Sequence, residues 1–243
     1  MSVTRQTLTG ATLDHVAVAV DDMPLAVKWW HHLGATPVAV GSNGAFATEQ
    51  VRLSNGGKVE LIGCGPEDQT SFITTFLDRY GSGRIHHITL KVPAPLQDSI
   101  DRLTAAGLDV IDVSMADAHW HESFLRPSQV GGLIVQVAWA SSNDAEFAVS
   151  QGRGLPPPVD PVAPAFRRVV LGHRDLDRAA WLWATLGAQI HRQDDWFIAT
   201  FDDSAIAVEV RRADTHGPLG LVLDPHPAGE RTPVTPALLA ATR

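Results

Sequence analysis

The chain has 243 residues, 44% hydrophobic and 19% charged, with a formal net charge of −8. This is an ordinary globular composition, long enough for one large or two smaller cores, and its acidic balance without a basic run argues against nucleic acid as a partner. A single cysteine, Cys64, excludes an intrachain disulfide, the opening MSVTRQTLTGATLDH lacks an apolar signal core, and no apolar run reaches the ~18 residues of a membrane span, so a cytoplasmic protein is expected.

In chain order, Leu13 to Val20 alternates with period two, the mark of a strand. Leu25 to Trp30 has a helical pattern that stops at Leu33-Gly34. Ala45 to Leu53 and Lys58 to Ile62 read as strands joined by the turn Asn55-Gly56-Gly57. After the short link Gly81-Ser82-Gly83 the series repeats. Ile85 to Val92 is a strand, Leu96 to Leu103 a helix ending at Ala106-Gly107, and Ser123 to Arg126 and Leu133 to Ala138 are strands around Gly131-Gly132. Both units read strand–helix–strand–strand–strand.

Residues 151–164, QGRGLPPPVDPVAP, form a stiff, extended linker, because proline lacks an amide donor and biases its predecessor to extended backbone. A third copy follows. Arg167 to Leu171 is its first strand, Asp175 to Trp183 its helix ending at Leu186-Gly187-Ala188, and Trp196 to Phe201, Ala205 to Val210 and Leu219 to Leu223 its later strands. The run Ala237 to Ala241 is a short terminal helical turn or a frayed tail.

Strand residues i, i+2 and i+4 share a face, so His15 lies with Ala17 and Ala19, and His87 with Thr89 and Lys91. Glu60 and Gln136 interrupt otherwise apolar strands. Each unit therefore offers one imidazole and one side-chain oxygen, and packing two units about a pseudo-twofold would gather His15, Glu60, His87 and Gln136. That N₂O₂ set suits one borderline divalent ion, Zn, Co, Ni, Mn or Fe. The plain alternative, two hydrogen-bonded core histidines, does not explain their matching places in a repeat. His86 points to the opposite face from His87. The cluster His119-Trp120-His121-Glu122 reads as a loop or strand edge at the rim of a cleft. In the third unit Arg168 stands at the histidine position and Glu209 at that of Glu60, and no metal is expected there.

The strand Leu13 to Val20, the run Ile85-His86-His87-Ile88, and Phe124-Leu125-Arg126-Pro127 followed by Gly131 to Gln136 resemble the vicinal oxygen chelate superfamily. Within it they are most similar to the methylmalonyl-CoA epimerase-like branch. The resemblance covers roughly Leu13 to Trp139. It implies an α+β fold of paired βαβββ modules around a metal, with ligands at His15, Glu60, His87 and Gln136. The epimerase pattern has glutamate at the last position, where it is linked to proton transfer, and Gln136 is not a carboxylate base.

The expected architecture is a two-module domain over 1–150 (modules about 11–80 and 83–140), the linker 151–164, and a degenerate third βαβββ module with its tail over 165–243. This module is expected to pack on the pair or to fill a homodimer interface. The expected function is a metal-dependent enzyme acting on a small oxygen-rich molecule by carbonyl chelation and proton transfer, an epimerase, isomerase or lyase. Glu60 is the first candidate acid/base, and His121, Glu122 and Glu49 follow. A non-haem Fe(II) dioxygenase and a non-catalytic binding or resistance protein are the alternatives.

Overall fold

The computed structural model of the protein describes residues 8–42, 44–65, 72–93, 95–150, 152 and 154–225. The run Ala237 to Ala241 lies outside them. The first module comprises β1 (Thr12–Ala19), α1 (Met23–His32), β2 (Thr36–Ser42), β3 (Phe46–Arg52) and β4 (Lys58–Cys64). After α2 (Phe72–Tyr80), the second comprises β5 (Arg84–Lys91), α3 (Leu96–Ala105), β6 (Val110–Ser114), β7 (Trp120–Leu125) and β8 (Ile134–Ala140). After α4 (Asp144–Ser150), the third comprises β9 (Ala165–His173), α5 (Leu176–Thr185), β10 (Gln189–Arg192), β11 (Trp196–Thr200) and β12 (Ala207–Arg212), and an additional strand, β13 (Gly217–Asp224), follows it. The architecture is α+β and built on three βαβββ modules. Among the described residues no helix is long and apolar enough to cross a membrane.

One sheet has the strand order β2-β3-β4-β1-β5-β8-β7-β6, the other β10-β11-β12-β9-β13. In every module the first strand pairs in parallel with the last: β1 with β4, β5 with β8 and β9 with β12. A parallel pair needs a crossover connection, which the intervening helix and two antiparallel strands supply. The same local chemistry sets the helices. Asp22 and Asp175 cap α1 and α5 by accepting the amides of Leu25 and Arg178, each at 2.9 Å. The helices of all three modules stop before a left-handed glycine, Gly34, Gly107 and Gly187.

The described residues within His15–His86, Ser142–Arg167 and Gly220–Arg243 form one compact unit. Those within Met1–Asp14, His87–Ser141 and Arg168–Leu219 form the other. The division runs through strands β1, β5, β9 and β13.

In the first of these units both faces of β1 are buried: Val16 and Val18 on one side, Ala17 and Ala19 on the other. The alanines and Ile62 are covered by Ile73, Phe76 and Leu77 of α2. The sequence reading placed no element between Ile62 and Gly81. Its signal was the helical spacing of Phe72, Ile73, Phe76, Leu77 and Tyr80. His86 is 6% exposed, and its ring lies 4.8 Å from that of Phe76 and 5.7 Å from that of Phe72. From 154 to 164 the Pro-rich segment is neither helix nor strand, and the body of the unit holds it. Arg52 Nη2 donates to the Pro157 carbonyl at 2.8 Å, and the Asn55 amide exchanges two 2.9 Å hydrogen bonds with the Phe166 backbone.

In the other unit the second module meets the third. Gly131 and Gly132 lie against His173, His216 and Gly217, and Leu13 N donates to Ser204 Oγ at 2.8 Å. Gly132 is left-handed (φ +86°), and a Cβ there would stand 2.9 Å from the carbonyl carbon and oxygen of His216. Backbone cannot swing aside as a side-chain tip can.

Two predictions follow from these contacts. Gly132→Ala should cost about 2 kcal/mol or more, lowering Tm by roughly 4–8 °C. Gly56→Ala should cost less, since Gly56 has a similar φ (+86°) but open space around its Cβ. Equal losses in calorimetry would contradict the packing argument. Burial lowers the His86 pKa from 6.5 to about 4, against a smaller opposing pull from Glu60. The unfolded chain therefore binds this proton more readily than the native protein. Stability should fall by on the order of 3 kcal/mol as pH drops from about 6.5 to about 4, with no further loss from this group below that. Urea unfolding across this range should show a shallower decline for His86→Phe, and an unchanged slope would refute the assignment.

Candidate functional site

The site rests on strand register. In the β1/β4 pair, His15 lies opposite Lys58 and Ala17 opposite Glu60. In β5/β8, His87 lies opposite Ile134 and Thr89 opposite Gln136. In β9/β12, Arg168 lies opposite Ala207 and Val170 opposite Glu209. Directly opposed residues share a face, as do i and i+2. Each module thus sets a residue of its first strand diagonally beside a polar residue of its last.

His15 is 1% exposed, and its Nε2 stands 3.6 Å from Glu60 Oε2, too far for a direct hydrogen bond. The other oxygen, Oε1, accepts from Gln50 Nε2 at 3.2 Å, which fixes the carboxylate. His87 is also buried. His15, Glu60 and His87 each offer one ligand atom, and these atoms lie within 4.8 Å of one another. Two imidazole nitrogens and one carboxylate oxygen at this spacing fit a borderline divalent ion, which matches their donor types and offsets the buried negative charge.

Gln136 is held by a chain of hydrogen bonds within the second module. Its Oε1 accepts from the Thr89 hydroxyl at 2.6 Å, and its Nε2 donates to Glu122 Oε2 at 2.7 Å. The amide orientation follows from the partners, because the reverse would set its oxygen against a carboxylate oxygen. Glu122 Oε2 also accepts from the Trp120 indole at 2.9 Å, while its Oε1 has no hydrogen bond among the described residues. Of the two readings of His119 to Glu122, loop or strand edge, the strand is found from Trp120 onward, so its side chains alternate between faces. Glu122 is turned to Gln136, whereas the His121 ring lies 4.8 Å from that of Trp139. Lys91 Nζ, 5.5 Å from the Trp120 ring centre, forms a 3.1 Å ion pair with Asp14.

Glu49 is separated from Glu60 by the same alternation. Gln50 is the residue opposite Glu60, and the Glu49 carboxylate lies 3.5 Å from His31 Nε2 of α1. Gln50 was not singled out from sequence, Thr89 was named only as sharing the face of His87, and Trp120 only within the cluster His119 to Glu122. Trp120 and Glu122 are two apart in one strand, which places them on one face once the strand is recognised. Gln50 and Thr89 become partners only through pairing. In the third module two guanidinium groups occupy Glu209: Arg168 Nε at 2.8 Å from Oε2 and Arg211 Nε at 2.5 Å from Oε1.

Among curated proteins no match is found. Among solved structures, methylmalonyl-CoA epimerase from Mycobacterium tuberculosis is similar at 24% identity, covering 61% of this chain and 97% of its own, with a TM-score of 0.50. A hypothetical protein from Staphylococcus aureus is similar at 10% identity over 88% of this chain and 90% of its own, with a TM-score of 0.58. At these identities the likeness is one of fold. The glyoxalase-like domain family matches residues 13–187, most of the chain, and the protein belongs to that family of the vicinal oxygen chelate superfamily.

Proposed function

We propose that the protein is a metal-dependent enzyme that moves a proton on a small, oxygen-rich substrate, as an epimerase, isomerase or lyase does. The observation that carries this reading is the grouping of His15, Glu60 and His87, whose ligand atoms lie within 4.8 Å of one another. These residues would hold one divalent ion, and the free lone pair of the Gln136 carbonyl makes it the fourth candidate. When bound, such an ion supplies a Lewis acid for a substrate carbonyl. Gln50 orients the Glu60 carboxylate.

Glu122 is the carboxylate we assign to proton transfer. Its Oε2 is anchored by two N–H donors, Gln136 and Trp120, while Oε1 is left to take and return a proton. Glu60, as an anionic ligand, has its charge committed to the ion. Two histidines and one carboxylate also form the donor set of non-haem Fe(II) enzymes, which supports an oxygen-using enzyme as the second reading.

Protein purified without chelator should contain about one divalent ion per chain by elemental analysis, and His15→Ala and His87→Ala should lose it. Full occupancy in both variants would refute the ligand assignment. Glu122→Gln should keep its metal and lose solvent-deuterium exchange by roughly 10²–10⁴-fold, read by NMR on methylmalonyl-CoA and a panel of 2-oxo and 1,3-dicarbonyl acids. Normal exchange in this variant would return the role to Glu60. Iron with substrate-dependent oxygen uptake would establish the second reading instead.

A further inference from the structure

The third module presents a polar face that the proposed reaction does not use. Glu209 is nine-tenths buried, at 7% side-chain exposure, and both of its oxygens are taken by arginines. Arg168 and Arg211 remain 34% and 29% exposed. Each approaches Glu209 most closely through Nε, and the two terminal nitrogens of each guanidinium remain. Those nitrogens make no hydrogen bond among the described residues. Arg168 Nε is itself buried and makes no well-directed hydrogen bond despite its 2.8 Å contact. A half-buried guanidinium with its donors unspent is costly, and an acceptor that reaches it from the open side relieves that cost.

Charge and register narrow what that acceptor is. Two guanidinium groups against one carboxylate leave a net charge of +1. A monoanion balances it, whereas a dianion would leave excess negative charge in a half-buried place. The β11 residues sharing the face, Trp196, Ile198 and Thr200, carry no negative charge. Trp196 lies directly opposite Arg211 and is 37% exposed, so an exposed indole and this guanidinium are cross-strand neighbours on one face. A flat apolar group would pack there while its carboxylate met the arginines in the two-pronged geometry that guanidinium favours.

We propose that Arg168 and Arg211, fixed by Glu209 and flanked by Trp196, bind a small monocarboxylate carried on a planar ring. The site is separate from the proposed metal ligands and stands whether or not that assignment holds. Glu209 acts from beneath as a positioning residue, because without it the two like charges would repel and splay apart.

Isothermal titration of the whole protein with benzoate tests this, with acetate and inorganic phosphate as parallel probes. Benzoate should bind saturably, and more tightly than either of the others. Arg211→Lys keeps the charge but loses the planar fork, and should weaken benzoate about tenfold. Trp196→Ala should weaken benzoate while leaving acetate unchanged. Because a bound metal also attracts carboxylates, the titration is repeated on His87→Ala, where benzoate binding should persist. Loss of binding in His87→Ala together with normal binding in Arg211→Lys would overturn the proposal by placing the ligand at the metal. Phosphate binding as tight as benzoate, or no saturable binding at all, would also overturn it.

Discussion

Everything chemical in this protein depends on one geometric constraint: the parallel pairing of each module's first strand with its last. In all three pairs the residue on the first strand stands two registers from the polar residue on the last. Because alternation repeats every two residues, that offset keeps both side chains on one face. An offset changed by a single residue would send one of them through the sheet. The crossover helix and the two antiparallel strands exist, in this sense, to bring the two strands side by side in parallel.

The three copies use the same slot for different electrostatics. The first holds an imidazole and a carboxylate 3.6 Å apart, the histidine buried and the carboxylate 13% exposed. The second holds an imidazole and an amide, and its carboxylate sits on the neighbouring strand at Glu122. There the amide is a donor to the acid, so Gln136 and Glu122 form one hydrogen-bonded unit instead of two repelling charges. The third replaces the imidazole with Arg168, whose permanent charge meets Glu209 directly. A carboxylate at this depth needs a positive partner, and the third copy carries its own.

Burial then determines which candidate acids and bases can act together. Glu49 and His121 each sit one residue from a residue of the site face, and that single step turns Glu49 to His31 on α1 and His121 to Trp139. The helix α2 covers Ala17, Ala19 and Ile62 because small side chains on β1 let it approach closely. Its aromatic residues also surround His86 and hold that imidazole neutral, next in sequence to a histidine of the proposed metal set.

Much of this was legible in the sequence, because it is local. Period-two alternation, helix stops at Leu-Gly and the matched positions of His15 and His87 identify the modules and two of the three grouped residues. Glu60 stood out as a charge in an apolar strand. The spacing of Phe72 to Tyr80 was an equally local signal for α2, although it was not read. The partners are what no local pattern carries. Gln50 meets Glu60, Thr89 and Glu122 meet Gln136, and Arg211 joins Arg168 on Glu209 only through the register in which separate strands pair. Two arginines more than forty residues apart form no basic run, yet the β9/β12 register brings them to one carboxylate. Sequence determined which faces existed, since side-chain alternation follows from backbone geometry alone; the fold decided which charges share a face, since that requires the register of strands that meet only when the chain closes.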